Sequence, residues 1–272
     1  VKTMKLIKQH HLKMSVYGGL LAMLATSLMS TASAQTKPSA LEKTTRIGQL
    51  EWDLHEVTIG SVKLYAQQTK FVSSGEKEGG SFIYENGWAR KKGWTWLQPF
   101  GVPAKDQEPA VHLNFDEAQA VCQFFGKRLP KDQEWTSAAF LEQRATPPQP
   151  FVKGKRYVYA NGDTPRNSHC LNGCAGLKGT APANALNRGT GHVAVMTTQA
   201  GVNGLFDMGG NAWEWVDEPQ SSGAADAGQA ERRTRGGSWW YGTAQMQVDH
   251  LQGKPADTAV VYIGFRCATG PH

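Results

Sequence analysis

The segment Gly204-Leu-Phe-Asp-Met-Gly-Gly-Asn-Ala-Trp-Glu-Trp215 combines glycines, tryptophans and two carboxylates in one short stretch of sequence. The same mixture extends through all 272 residues, which include 30 glycines, 13 prolines and 9 tryptophans but only 19% charged residues. Glycine and proline interrupt helices and strands, whereas tryptophan rings bury large apolar areas. The composition therefore predicts a loop-rich fold whose short strands are held together by aromatic packing.

Two helices are predicted in the middle of the chain. Asn114 is placed to cap a helix within residues 112–125, whose first turn contains Asp116 and Glu117. A second helix is predicted to start at a cap on Asp132 and to end before two consecutive prolines.

Elsewhere the pattern favours short strands. The imperfect alternation between Trp52 and Tyr65 predicts a hairpin that turns at Gly60-Ser61. Strand-like pieces are also predicted at residues 156–159, 235–241 and 260–266.

Residues 1–34 have the pattern of a secretory signal peptide. Four lysines and no acidic residue precede an apolar run from Val16 to Leu28, and Ala32-Ser-Ala34 then supplies a cleavage site. The alternative is an uncleaved membrane anchor, but the run is shorter than the roughly 20 apolar residues that cross a bilayer. We therefore expect a periplasmic or secreted protein with no membrane span after cleavage.

Residues 35–50 are polar and mixed, which predicts a flexible N-terminal arm before a domain at residues 51–272. Without the four leader lysines, 25 basic residues face 23 acidic ones, so the formal charge falls from +6 to +2. Because no dense basic stripe follows the leader, nucleic acid is not an expected partner.

The chain has four cysteines, and an exported chain predicts that they form disulfides. Three pairings are possible on paper. The tight stretch Cys170-Leu-Asn-Gly-Cys174 suits a local bridge, which leaves Cys122 to pair with Cys267. A zinc site is the alternative, although the local spacing has no second ligand pair nearby.

Three segments, taken together and in order, resemble the formylglycine-generating-enzyme (sulfatase-modifying-factor) superfamily, which has relatives in ergothioneine synthesis and pyoverdine maturation. They are Glu108 to Ala118 with Gly126-Lys-Arg-Leu-Pro130, then Gly204 to Trp215, then Arg235-Gly-Gly-Ser238 with Gly264-Phe-Arg-Cys-Ala268. The resemblance implies a single compact α+β domain similar to the C-type-lectin fold, with about two helices. It also implies a bridge between Cys122 and Cys267, in agreement with the pairing above.

The founding enzymes of this family bind copper(I) with two cysteines just after the Gly-Gly-Ser motif. The matching positions here are Tyr241 and Met246. A neutral phenol and one thioether cannot replace two soft, anionic thiolates. We therefore expect no copper and no conversion of cysteine to formylglycine, whereas another redox metal stays open.

The family also holds a calcium ion around its Gly-Asn-x-Trp-Glu motif. The matching ligands are Asp207, the carbonyls of Gly210 and Ala212, and Glu214. Carboxylate and carbonyl oxygens suit a hard cation. The alternative is that both carboxylates serve only as hydrogen-bond acceptors.

Further candidate residues lie in the segment that lines the substrate cleft of relatives. For catalysis these are Tyr241 as a redox-active phenol, Asp249 with His250 as a base or ligand, and Ser238 as a hydrogen-bonding group. Candidates for substrate binding are Arg235, Trp239, Trp240 and Met246. Each of these assignments has a structural alternative. The aromatic residues could simply fill the space that the metal vacates, Asp249 and His250 could be a solvated loop pair, and Ser238 could be a small residue that the turn requires.

Two functions follow. The first is an exported oxidative maturation factor that acts on a secreted peptide or small molecule without the copper cysteines. The second is a non-catalytic, lectin-like module that binds a peptide, a glycan or a partner protein. A purely structural envelope protein has least support, because polar residues remain among the cleft aromatics.

Overall fold

The computed structural model describes residues 42–219 and 230–270. The predicted signal peptide and residues 35–41 of the predicted arm lie outside the described residues. Within the described part of the chain, no helix is both long and apolar enough to cross a membrane.

A four-stranded sheet forms the centre of the domain, in the order β7-β6-β5-β8. Its strands are β5 (Trp213–Pro219), β6 (Glu231–Arg235), β7 (Gln252–Pro255) and β8 (Ile263–Gly264). Strand β5 pairs antiparallel with β6 and parallel with β8, so residue 214 lies between two neighbouring strands. The first four residues of β5 are buried, so the end of the segment Gly204–Trp215 lies inside the core.

A second sheet joins the two ends of the described chain. Strand β1 (Thr44–Ile47) pairs with β2 (Leu50–Asp53), and β2 pairs with β9 (Ala268–Thr269), both antiparallel. Residues 44–47 were predicted to belong to a flexible arm, but they are the edge strand of this sheet. The fold therefore begins before residue 50, because backbone pairing with β2 orders a stretch whose composition is polar.

The predicted hairpin at residues 52–65 is wrong. Beyond β2 the chain forms helix α1 (Ile59–Thr69), so Gly60-Ser61 lies in the first helical turn. The Thr58 hydroxyl accepts a hydrogen bond from the Ser61 N–H at 3.3 Å, which is an N-cap. This capping residue outweighs the weak alternation of apolar residues that favoured a strand.

Helix α2 (Ser74–Lys77) and a hairpin of β3 (Gly80–Tyr84) and β4 (Trp88–Lys92) follow. The described residues thus contain four α-helices rather than about two. The sequence analysis predicted neither this hairpin nor helix α2.

Both predicted helices are present. Helix α3 (Phe115–Phe124) starts at Asn114, whose side chain accepts from the Glu117 N–H at 2.9 Å. Helix α4 (Asp132–Phe140) starts one residue earlier than predicted, with Lys131 at the N-cap. Asp132 binds arginines of strand β6 instead of capping the helix.

The strand-like pieces are only partly correct. Residues 156–159 make isolated bridges, and residues 236–241 leave β6 at Arg235 to form turns. Within residues 260–266 only Ile263–Gly264 are a strand. Two glycines at positive φ, Gly236 and Gly237, turn the chain away from the sheet.

Both predicted disulfides are confirmed. Cys122 of α3 pairs with Cys267 just before β9, and Cys170 pairs with Cys174 within a loop. The first bridge ties the central helix to the C-terminal strand, while the second closes a ring with a sequence separation of 4.

Candidate functional site

A buried ion pair between Glu214 and Arg266 lies at the centre of the site. The Arg266 Nη2 donates to Glu214 Oε1 at 2.6 Å, and its Nε donates to both carboxylate oxygens at 2.8 and 2.9 Å. The Trp135 indole N–H donates to Glu214 Oε2 at 2.6 Å. The remaining guanidinium donors reach the carbonyls of Asp53 and Phe206. One side-chain pair therefore joins β5, α4, the start of the segment Gly204–Trp215, and residues near both ends of the described chain.

Asp207 uses its two carboxylate oxygens on a neighbouring loop. Oδ1 accepts from the Thr198 hydroxyl at 2.6 Å, and Oδ2 accepts from the Met196 N–H at 2.9 Å. Asp207 itself has a φ of 60°, and a short polar side chain tolerates that left-handed conformation better than most.

These contacts bear on the predicted calcium ligands. The carboxylate oxygens of Asp207 and Glu214 already accept from protein donors, and Arg266 supplies a positive charge beside Glu214. The described residues contain no group of three or more His, Cys, Asp or Glu side chains that could hold a metal. In this arrangement the two carboxylates fit hydrogen bonds and an ion pair with Arg266 better than the coordination of calcium. Calcium binding at Asp207, Gly210, Ala212 and Glu214 therefore stays a prediction.

Glu56 is a third buried carboxyl beside this network. Its Oε1 accepts from the Asn211 amide at 3.0 Å, whereas its Oε2 has no hydrogen-bond partner among the described residues. Burial raises the pKa of Glu56 well above its usual value, and the nearby charges of Asp207 and Glu214 raise it further. The folded chain therefore favours a protonated Glu56 over a third buried negative charge.

Residues 238–250, which match the segment that lines the substrate cleft of relatives, are called the cleft segment below. This segment brings two predicted catalytic residues to one indole ring. The rings of Tyr241 and His250 each lie 5.8 Å from Trp213, measured between centroids. Trp213 is fully buried, and its indole N–H has no partner among the described residues. Tyr241 and His250 are therefore neighbours through Trp213.

Tyr241 is also hydrogen-bonded to Tyr262, and the two rings meet edge to face at 5.6 Å. Burial raises the pKa of Tyr241, and the hydrogen bond to Tyr262 and the charge of Arg188 only partly counter it. Burial lowers the pKa of His250 despite the neighbouring charge of Asp249. At neutral pH the site thus presents a neutral phenol, which can donate a hydrogen bond, and a neutral imidazole, which can accept one.

The other predicted residues have mainly structural contacts. Trp239 and Trp240 are buried, and Trp240 stacks on Tyr262 at 5.7 Å with the Arg188 guanidinium over its ring at 4.6 Å. Ser238 is fully buried, and its hydroxyl accepts from the Trp240 N–H at 3.3 Å. These side chains form a buried aromatic cluster that reaches Tyr241 through Tyr262.

Two predicted residues are not brought to the cleft. Arg235 makes a two-pronged ion pair with Asp132 at 2.6 and 2.8 Å and donates to the His250 carbonyl at 2.8 Å. It therefore positions the His250 backbone, and its guanidinium is occupied. Asp249 is exposed, and its neighbour His250 turns toward Trp213.

Sequence reasoning missed Trp213, Tyr262 and Glu56. Trp213 lies within the segment Gly204–Trp215, from which the sequence analysis inferred only metal ligands. Tyr262 and Glu56 come close to the site through long-range packing, and no local pattern around them indicates that.

Comparison with known proteins decides the family. The family model described as a sulfatase-modifying factor enzyme 1-like domain matches residues 5–270. The chain belongs to the sulfatase-modifying-factor family. This confirms the resemblance inferred from the three segments, and the family's members include both active and inactive proteins.

Two curated relatives illustrate that range. The inactive C-alpha-formylglycine-generating enzyme 2 of Bos taurus is 28% identical over 254 residues, covering 80% of this chain and 76% of the relative. The formylglycine-generating enzyme of Thermomonospora curvata is 24% identical over 278 residues, covering 84% of each protein.

Two solved structures share the fold of this sulfatase-modifying-factor domain. CarF has a TM-score of 0.54 at 18% identity and covers 84% of this chain and 88% of its own. PvdO from Pseudomonas aeruginosa has a TM-score of 0.55 at 17% identity, with 82% and 80% covered. At these identities the likeness establishes the α+β fold alone.

Replacing Arg266 tests the buried ion pair. We expect Arg266→Met to lower the free energy of unfolding by about 3–5 kcal/mol, because it leaves Glu214 charged and buried without its counterion. The double variant Glu214→Leu with Arg266→Met should be less destabilised than Arg266→Met alone. Urea unfolding of both variants at pH 7 measures this, and equal losses would contradict the ion-pair interpretation.

The raised pKa of Glu56 predicts a pH dependence of stability. The unfolded carboxyl titrates near 4.5 and the folded one well above it. The stability that Glu56 contributes is therefore complete below about pH 4.5 and is lost as the pH rises through the folded pKa. We expect Glu56→Gln to become progressively more stable relative to wild type across that range, as measured by thermal unfolding. The matched change at half-exposed Glu51, Glu51→Gln, should not show this trend.

Proposed function

We propose that this protein is exported and takes part in the oxidative maturation of a secreted peptide or small molecule, without making formylglycine. The proposal rests on the absence of free cysteine thiols among the described residues of the cleft segment and its surroundings. Tyr241 and Met246 stand at the positions of the family's copper cysteines, and all four cysteines of the chain are paired in disulfides. Copper(I) therefore lacks the free thiolates that it prefers.

Two further facts support the proposal. Two disulfides are typical of an oxidising compartment, which is consistent with a periplasmic or secreted protein. The relative from Bos taurus described above is itself named as inactive. Loss of formylglycine formation within this family is therefore compatible with retention of the fold.

The roles assigned to individual residues follow from their protonation states. Tyr241 donates a hydrogen bond to a bound substrate, since its raised pKa keeps the phenol neutral. His250, whose pKa is lowered, accepts a proton from the substrate and lies against the same Trp213 ring as Tyr241. Tyr262 holds Tyr241 in place by a ring contact and a hydrogen bond, and Trp240 in turn stacks on Tyr262.

A non-catalytic binding module is the second candidate, and a surface feature favours it. Phe82, Tyr84 and Trp88 on the β3–β4 hairpin are exposed large aromatic side chains. Phe82 and Trp88 line a cavity of about 370 Å³ together with Pro255, Asp257 and Thr258. Exposed aromatic rings of this kind bind sugar rings or peptide side chains without any chemistry.

Assays of the purified, leader-free protein separate these functions. We expect no aldehyde in a sulfatase-type cysteine peptide, with or without copper(I), by mass spectrometry. The double variant Tyr241→Cys with Met246→Cys should gain copper(I) binding, because it restores two thiolates at the family positions. Formylglycine formation by the wild-type protein at the rate of an active family member would contradict the proposal.

The oxidative role is tested with reduced exported peptides and phenolic small molecules as substrates. With dioxygen or a disulfide compound supplied as the electron acceptor, we expect a product that has lost two hydrogens. His250→Gln should lower the rate of its formation at least tenfold, whereas the exposed Asp249→Asn should leave the rate unchanged. Binding that depends on Trp88, with no product formed by any variant, would favour the binding module instead.

A further inference from the structure

The Cys170–Cys174 ring is packed directly against the cleft segment. The Leu171 N–H inside the ring donates to the Tyr241 carbonyl at 2.9 Å. Cys174 Sγ lies 3.8 Å from Met246 Sδ, and a side-chain carbon added at Gly173 would lie 3.1 Å from Thr243. The ring thus covers residues 241–246, which is the part of the cleft where the family's cysteines stand.

The two disulfides have different access to solvent. Cys122 and Cys267 are fully buried in the core, with 0% and 1% of their surface exposed. Within the ring, Cys170 is 6% exposed but Cys174 is only half-buried. Met246, whose sulfur contacts Cys174, is buried, so it is through its own partly exposed surface that Cys174 is open to a thiolate in solution. Exposed disulfides are the ones that take part in exchange, whereas buried structural ones resist it.

A hydrogen-bond acceptor is already in place for the reduced form. Cys170 Sγ lies 3.0 Å from the Asn172 carbonyl oxygen, close enough for a Cys170 thiol to donate to it. Reduction therefore converts the buried sulfur into a satisfied thiol instead of a buried, unpaired anion. The short ring also limits the conformational change, since only the loop between the two cysteines is released.

We propose that Cys170–Cys174 is a thiol–disulfide exchange site that oxidises a pair of thiols in a secreted peptide. This inference rests on the proposed oxidative function and names its substrate class and its oxidising group. A substrate thiolate attacks Cys174 Sγ, the Cys170–Cys174 bond breaks, and Cys170 leaves and takes up a proton.

The second substrate thiolate then attacks the substrate sulfur of the mixed disulfide. The substrate leaves as a disulfide, and Cys174 leaves as a thiolate that takes up a proton. Two electrons and two protons pass from the substrate dithiol to the protein. A further disulfide compound, acting as oxidant, restores the ring for the next turnover.

The first experiment measures selectivity of reduction. The folded wild-type protein is treated with increasing dithiothreitol, alkylated and digested, and the labelled cysteines are quantified by mass spectrometry. We expect Cys170 and Cys174 to be labelled at reductant concentrations at least tenfold below those that label Cys122 and Cys267. Equal resistance of both disulfides would overturn the proposal.

The second experiment measures exchange with a short synthetic peptide that carries two reduced cysteines. We expect the wild-type protein to convert one equivalent of peptide to its disulfide without added oxidant, and the double variant Cys170→Ser with Cys174→Ser to convert none. Cys170→Ser, which keeps the accessible Cys174, should accumulate a mixed disulfide with the oxidised peptide, whereas Cys174→Ser should not. Asp249→Asn is the folded control with unchanged exchange.

The outcomes separate this inference from the proposed function. If the double cysteine variant still removes two hydrogens from an exported substrate, the oxidising group lies elsewhere and only the exchange site is overturned. If the wild-type ring exchanges with the peptide but no exported substrate is oxidised, the exchange chemistry stands and the maturation role fails.

Discussion

The buried pair of Glu214 and Arg266 is the constraint on which the rest of this structure depends. The Arg266 guanidinium donates hydrogen bonds to the Glu214 carboxylate and to the carbonyls of Asp53 and Phe206, which belong to distant parts of the chain. A charge of this kind is stable away from water only when its hydrogen bonds are nearly complete. The segments that supply those acceptors must therefore be fixed at once, and the chain has little regular secondary structure that could fix them otherwise.

The same requirement explains why the quoted segment has its particular residues. Asp207, Gly210 and Asn211 all adopt a positive φ, so the chain turns sharply three times before β5 begins. A side-chain carbon on Gly210 would lie 2.3 Å from the His169 carbonyl, which leaves room only for glycine. These turns lead into the strand on which Glu214 binds Arg266 and Trp213 contacts the rings of both Tyr241 and His250. The ion pair and the cleft are consequences of one backbone path.

Much of this could be predicted from the sequence where a local signal exists. The Asn114 cap, the spacing of the four cysteines and the order of the three motifs led to helix α3, both disulfides and the family. Local signals failed where tertiary contacts override them. Strand β1 depends on pairing with β2, and α1 depends on a cap at Thr58 that competes with a strand-like alternation. In the site, the sequence named Tyr241 and His250 only as separate candidates, and their shared contact with Trp213 comes from the fold. Arg235 is held by Asp132 from a helix about a hundred residues earlier, and no local pattern indicates such a partner.

The order of the cysteines along the chain carries a consequence for biogenesis. A growing polypeptide presents Cys122 first, then Cys170 and Cys174, and only much later Cys267, its native partner. During that interval two wrong thiols are available to Cys122. Closing a ring with a separation of 4 costs less chain entropy than joining either of these cysteines to the distant Cys122. Once that short ring is closed, Cys122 and Cys267 are the one remaining combination of the four cysteines, so the local bridge limits the number of wrong cross-links that the chain can form.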